Sequence, residues 1–197
     1  MSQFLEEQYA FYASYHGNML NILVHVVCVW PILWTAQMML ALVALPDSGL
    51  MATYLPPSVL DYAGPNGALI GTLIYVVYYL ILDPKAGVLA AGLVVAGNAA
   101  ANVVAAQYPP EDILKVAAMV HVGCWVAQIA AHKVFEGRAP ALLDNLAQAF
   151  LMAPYFVLLE IIMHIGYEPS PGFLKRANAR AKSARLAFEA SQKSKSS

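Results

Sequence analysis

"YASYHGNMLNILVH", residues 12–25, runs directly into "VVCVWPILWTAQMMLALVAL", residues 26–45. The second stretch carries no charged side chain and is long enough to cross a bilayer, which takes about 20 apolar residues. At its mouth stand His16, Asn18, Asn21 and His25. Hydrocarbon offers such groups no partner, so polar side chains at membrane depth point to function or to contact between helices. Asn18, Asn21 and His25 follow the spacing i, i+3, i+7 and share one helix face. His16 would fall on the opposite face of an unbroken helix. Joint use of both imidazoles therefore predicts a break near Gly17, where glycine permits one.

The whole chain fits this membrane reading. Of 197 residues, 60% are hydrophobic and 12% charged, against roughly 45–50% and about 25% in soluble domains. The mean hydropathy is +0.59. Length alone suggests one domain. Turn signals divide the sequence into five apolar segments, which predicts an all-α, polytopic membrane bundle of about five hydrophobic helices. The first spans about 18–45 and contains Pro31, expected to kink or break it. The second is "ALIGTLIYVVYYLIL", closed by Asp83-Pro84, and the third is the Gly- and Ala-rich "GVLAAGLVVAGNAAANVVAAQ". The fourth opens at Pro110 and ends by Gly137; the fifth, about 142–165, carries Pro154. The second is short for a span and the first is long, so four to six crossings fit the pattern.

Charge is unevenly distributed. The net charge is −1, yet Lys175, Arg176, Arg180, Lys182, Arg185, Lys193 and Lys195 gather in the last stretch. Residues 171–197 are thus read as a basic tail, cytosolic by the positive-inside rule and drawn to anionic lipid, following a membrane domain over 1–170. No nucleic-acid module accompanies the basic run, so nucleic acid is not an expected partner. The first fifteen residues hold Glu6 and Glu7 without Lys or Arg, unlike a cleaved signal, and the first apolar segment is expected to persist. Cys28 and Cys124 lie in apolar segments and read as packing.

A second polar stripe occupies the fourth segment, "HVGCWVAQIAAHKVFEGR". His121, Trp125, Gln128 and His132 recur at i, i+4, i+7 and i+11, and Glu136 adds a further turn. His132 and Glu136 could offer imidazole and carboxylate to one ion. His121 and His132 would lie about 16 Å apart along a straight helix, so one of them serves another purpose or two ions are bound. Imidazole with carboxylate and open positions suits non-haem Fe(II), and a closed set of three histidines suits zinc. The pattern alone does not separate them. Glu160 and His164, at i and i+4, could be ligands, although their proximity to the tail makes an interfacial salt bridge the plainer account. Arg138 could grip a substrate carboxylate, although a topology signal is the plainer account of it and of Asp83.

Taken together, "YHGNMLNILVH", "LDPKAG" and "HVGCWVAQIAAHKVFEGRAPALLDNLAQAFLMAPYFVLLE" resemble the 2-hydroxy fatty acid dioxygenase family of endoplasmic-reticulum membrane proteins. The resemblance covers residue 5 to about 168. It departs at Ala131, where glycine is expected before the histidine. It implies an Fe(II)-dependent enzyme of fatty acid α-oxidation and phytosphingosine degradation that shortens a 2-hydroxy fatty acid, such as 2-hydroxypalmitic acid, by one carbon with O2. It further implies His16, His25, His121 and His132 as iron ligands; beside them Asn18, Asn21, Gln128, Glu136 and Arg138 are read as supporting the ligands or substrate.

The stoichiometry matches what the sequence lacks. Taking R-CHOH-COOH to R-COOH, carbon dioxide and water uses all four oxidising equivalents of O2, so no flavin, nicotinamide or 2-oxoglutarate site is needed. By chemical analogy, the substrate's carboxylate and 2-hydroxyl would chelate the ion and the C1–C2 bond would be cut. Di-iron desaturases need more histidines than the five here. The alternative is a non-enzymatic helical scaffold or transporter in which the polar stripes only join helices.

Overall fold

The structure, a computed structural model, describes residues 2–46, 53–54, 56–141, 146 and 148–196. The start of the fifth apolar segment, 142–145 and 147, lies outside the described residues, as do 47–52 and 55 in the loop after the first. Among the described residues the helices are α1 (Ser2–Tyr15), α2 (Met19–Ala41), α3 (Pro57–Ala63), α4 (Gly67–Leu82), α5 (Pro84–Gln107), α6 (Pro110–Ala131), α7 (Ala153–His164) and α8 (Phe173–Ser196). A π-helical turn extends α6 over His132–Glu136, and another precedes α7 over Gln148–Met152. The all-α expectation holds: β pairing among the described residues is limited to one bridge, Ala44 with Asn66.

Among the described residues three helices are long and apolar enough to cross a membrane: α2, α5, and α6 with its π turn. α4 and the stretch Gln148–His164 are apolar but shorter. Leu23, Val27, Ile81, Val88 and Val122 are exposed, as expected of faces solvated by lipid. Pro31 does not break α2. A proline removes one backbone bond, and a helix buried in membrane keeps its path because hydrocarbon offers the chain no alternative partner. The first segment stops being helical sooner than expected, at Ala41. Beyond it the Val43 carbonyl accepts from Gly67 N–H at 2.8 Å. Pro154 lies in the first turn of α7, where its missing N–H costs nothing.

The described chain forms two compact units. Val27–Val126 is one. Its centre is the hairpin of α4 and α5, joined by a single residue: Asp83 ends α4, and its carboxylate caps α5 by accepting from Lys85 N–H at 3.1 Å. The helices approach so closely that a Cβ on Gly87 would collide with the Tyr79 carbonyl. Gln37 of α2 donates to Thr72 Oγ1 and the Val94 carbonyl, both at 2.9 Å. Asn98 and Asn102 of α5 donate to the Ala63 carbonyl that ends α3.

Met1–Val26 with Ala127–Ser197 is the other unit. It packs α1 against α7 and α8 around an aromatic cluster, with Tyr9 5.7 Å from Phe156 and 5.6 Å from Phe173 between ring centroids. α8 is a regular helix lying on α1. Phe173, Ala177 and Ala181, spaced i, i+4, i+8, are fully buried. Buried Glu6 of α1 bonds Arg176 at 2.8 Å and Arg180 at 3.5 Å.

Candidate metal centre

The centre is built on the predicted helix break. α1 ends at Tyr15 and α2 begins at Met19, leaving residues 16–18 as the joint. A helix ends with four carbonyls that have no partner within it. Here each is taken by a polar neighbour. Tyr12 O accepts from His16 Nδ1–H at 2.7 Å, and Ala13 O from Arg185 Nη1 at 2.6 Å and His16 N–H at 3.3 Å. Ser14 O accepts from Arg138 Nη1 at 3.2 Å, and Tyr15 O from Asn21 Nδ2 at 3.4 Å.

Three of the four expected histidines then converge. Ring centroids are 4.4 Å apart for His16 and His25, 4.9 Å for His16 and His132, and 4.8 Å for His25 and His132. One nitrogen from each ring lies within 4.8 Å of the other two, so small ring rotations bring all three onto one ion. The tautomers are set by the backbone. A carbonyl only accepts, so Nδ1 of His16 must carry its proton toward Tyr12 O, and Nδ1 of His25 toward Asn21 O at 2.9 Å. Both rings therefore keep a bare Nε2. Burial, reinforced by the adjacent His25, pushes the His16 pKa well below the ordinary histidine value. The ring is neutral at pH 7, as a metal ligand must be. His16 Nε2 and His132 Nδ1 are buried with no hydrogen-bond partner among the described residues. Buried nitrogens left so are rare and call for an occupant. A metal ion fits them. Three protein donors on one ion leave positions open for substrate, as in catalytic sites.

His132 is carried by the π turn of α6, a local widening often found at functional sites, and Gly137 ends that turn with φ 63°. Glu136 faces the joint and is not part of the three-histidine group. Its Oε1 accepts from Gly17 N–H and Asn18 N–H at 2.8 Å each and from Asn21 Nδ2 at 3.0 Å. Asn18 caps α2, its Oδ1 accepting from Leu20 N–H at 2.9 Å. Arg138 is stacked between Tyr15, 3.4 Å from its guanidinium carbon to the ring centroid, and Phe188 of α8, 4.4 Å away. Gln128 is buried with no partner for Nε2 among the described residues.

His121 belongs to the other unit, and both of its nitrogens are engaged. Nδ1 lies 3.0 Å from Thr35 Oγ1, and Nε2 accepts from Trp125 Nε1–H at 3.1 Å. The Glu160–His164 pair does not form an ion pair: Glu160 accepts from the Tyr12 hydroxyl at 3.0 Å, while His164 Nδ1 faces the Glu160 carbonyl.

Sequence reading missed three contributors. Tyr12 stacks on His16 with centroids 4.1 Å apart, in addition to binding its Nδ1. Arg185 and Phe188 come from the basic stretch at the end of the chain. The buried stripe Phe173, Ala177, Ala181 was the available signal that this stretch packs.

Comparison with known proteins identifies the family. The model of the family described as 2-hydroxy-palmitic acid dioxygenase Mpo1-like matches residues 2–165. The 2-hydroxy-palmitic acid dioxygenase MPO1 of Saccharomyces cerevisiae is 29% identical over 165 residues, 84% of this chain and 83% of the yeast protein. No solved structure matches. With a match running from α1 to the end of α7 and taking in all three converging histidines, the chain belongs to the Mpo1-like family.

Proposed function

We propose that the chain is an Fe(II)-dependent dioxygenase of the endoplasmic-reticulum membrane, multi-pass and with its basic end in the cytosol. It cleaves a 2-hydroxy long-chain fatty acid, such as 2-hydroxypalmitic acid, with O2. The products are the fatty acid one carbon shorter, carbon dioxide and water. Such a reaction serves fatty acid α-oxidation and the degradation of phytosphingosine. The observation that carries the reading is the convergence of His16, His25 and His132, with buried, unpartnered nitrogens on His16 and His132. The dioxygenase named in yeast supports the choice of reaction.

His16, His25 and His132 hold the ion. A ferrous ion there supplies the one-electron chemistry that lets O2 react with a closed-shell hydroxy acid. The protein's own part is to fix the rings and receive the acid. Tyr12 O and Asn21 O hold two imidazoles in the tautomer that presents Nε2. Asn21 Oδ1 and Gln128 Nε2 are buried with no partner among the described residues. The first can accept a hydrogen bond from a substrate hydroxyl, and the second can donate to a carboxylate. The acyl chain remains in the bilayer, since His25 and His132 both lie on membrane-spanning helices.

The test is iron per chain, by elemental analysis of purified protein, with 2-hydroxypalmitate turnover in parallel. His25→Ala and His132→Ala are expected to lose both while remaining helical. A scaffold whose histidines only join helices would instead lose stability in these variants, and its metal content would not respond.

A further inference from the structure

We propose that Arg185 is a positioning residue of the metal centre, so that α8, which lies beyond the residues matched by the family, completes the site. This rests on the reading of the histidine triad as a metal site.

Arg185 grips the carbonyl to which the backbone N–H of His16 is bonded. The Ala13 carbonyl accepts both the Arg185 Nη1–H, at 2.6 Å, and the backbone N–H of His16, at 3.3 Å. The arginine stem also roofs the joint. A Cβ on Gly17 would meet Arg185 Cδ at 3.2 Å and Nε at 3.5 Å, with Glu136 Oε2 at 3.4 Å beside them. Gly17 thus keeps the room the arginine occupies. A second link from the same helix face runs through Phe188, three residues on. It packs against the guanidinium of Arg138, whose Nη1 holds the next carbonyl, Ser14 O.

Without these links His16 would depend on a helix end whose last carbonyls need partners from elsewhere. The ring would still stack on Tyr12, but the peptide carrying it would be free to shift. Arg185 touches neither ion nor substrate in this role. Its effect reaches the centre through backbone, as residues supporting metal ligands commonly act. Nearer the start of α8, Arg176 and Arg180 fasten the helix to Glu6. Arg176 bonds Glu6, Pro171 and Ser170, away from the joint, which makes it a suitable control.

The experiment titrates Co(II), a spectroscopic stand-in for Fe(II), anaerobically into metal-free full-length protein in detergent. Wild type, Arg185→Ala, Arg185→Met, Arg185→Lys and Arg176→Ala are compared. Arg185→Met keeps the stem over Gly17 and loses only the donor, so it answers the question should the alanine variant not fold. Loss of the donor is expected to weaken Co(II) binding about 10-fold or more, the usual effect of removing a ligand's support. Arg185→Lys should recover part of that loss, and Arg176→Ala should bind as wild type does. Wild-type affinity in Arg185→Met, or an equal loss in Arg176→Ala, would overturn the proposal. A wild-type protein that takes up no Co(II) would instead remove the metal reading beneath it.

Discussion

Replacing Glu136 with alanine removes the acceptor of three hydrogen bonds that hold α2 to the end of α6. Bonds to a charged partner are each worth about 1.5–3 kcal/mol, but they are not equally protected here. Gly17 is exposed and Glu136 only half-buried, so water replaces the bonds to Gly17 and Asn18 at small cost. The Asn21 amide is fully buried and cannot be rehydrated. Adding the loss of a negative charge at a helix N-terminus, about 0.3–1 kcal/mol, the substitution should cost about 2–3 kcal/mol. At about 2–4 °C per kcal/mol for a chain of this size, the expected fall in melting temperature is roughly 4–12 °C. Far-UV circular dichroism of the full-length protein in detergent reads it directly. Bound iron should fall with it, since His16 and His25 flank the loosened joint. Glu136→Asp should lose most of the same stability, because the shortened carboxylate no longer spans the gap, and should keep only the contribution of its charge. A melting temperature within about 1 °C of wild type, with iron content unchanged, would refute this account of the joint.

Two further outcomes follow from the same structure. His121→Gln should retain iron while melting earlier, because His121 gives its nitrogens to Thr35 and Trp125; loss of iron from a still-folded variant would make it a ligand after all. Gly87→Ala should destabilise the α4–α5 hairpin by about 1–3 kcal/mol or more, since the clash is with backbone and cannot be relieved by a rotamer change; thermal unfolding measures it.

Local patterns in the sequence were enough to read the apolar helices and the joint, but not α1, α3 or α8, which take the described helices from about five to eight. The paired histidines nine positions apart required a break, and Gly17 was the residue able to provide it. Gly137 marked the end of the fourth segment because a left-handed residue is needed there. What could not be read locally were bonds between distant parts of the chain. Glu136 sits one turn beyond His132 and looks like a ligand until its carboxylate is seen spanning 119 positions to Gly17 N–H. His121 repeats the spacing of a metal-binding face, yet its partners are a threonine and a tryptophan. The basic stretch from Lys175 onward resembles a solvated tail because its charges outnumber its buried stripe. Only the packed helix shows that three small or aromatic residues are enough to seat it.

The π turn at His132–Glu136 makes the centre sensitive to counting. A π turn holds one residue more than an α turn, so deleting a single residue there would restore ordinary α geometry. Everything after it would swing by about 100° around the helix axis. Arg138 would leave Tyr15 and Glu136 would leave Gly17, with no side chain altered. Spacing in this stretch is therefore as much a determinant of the site as residue identity.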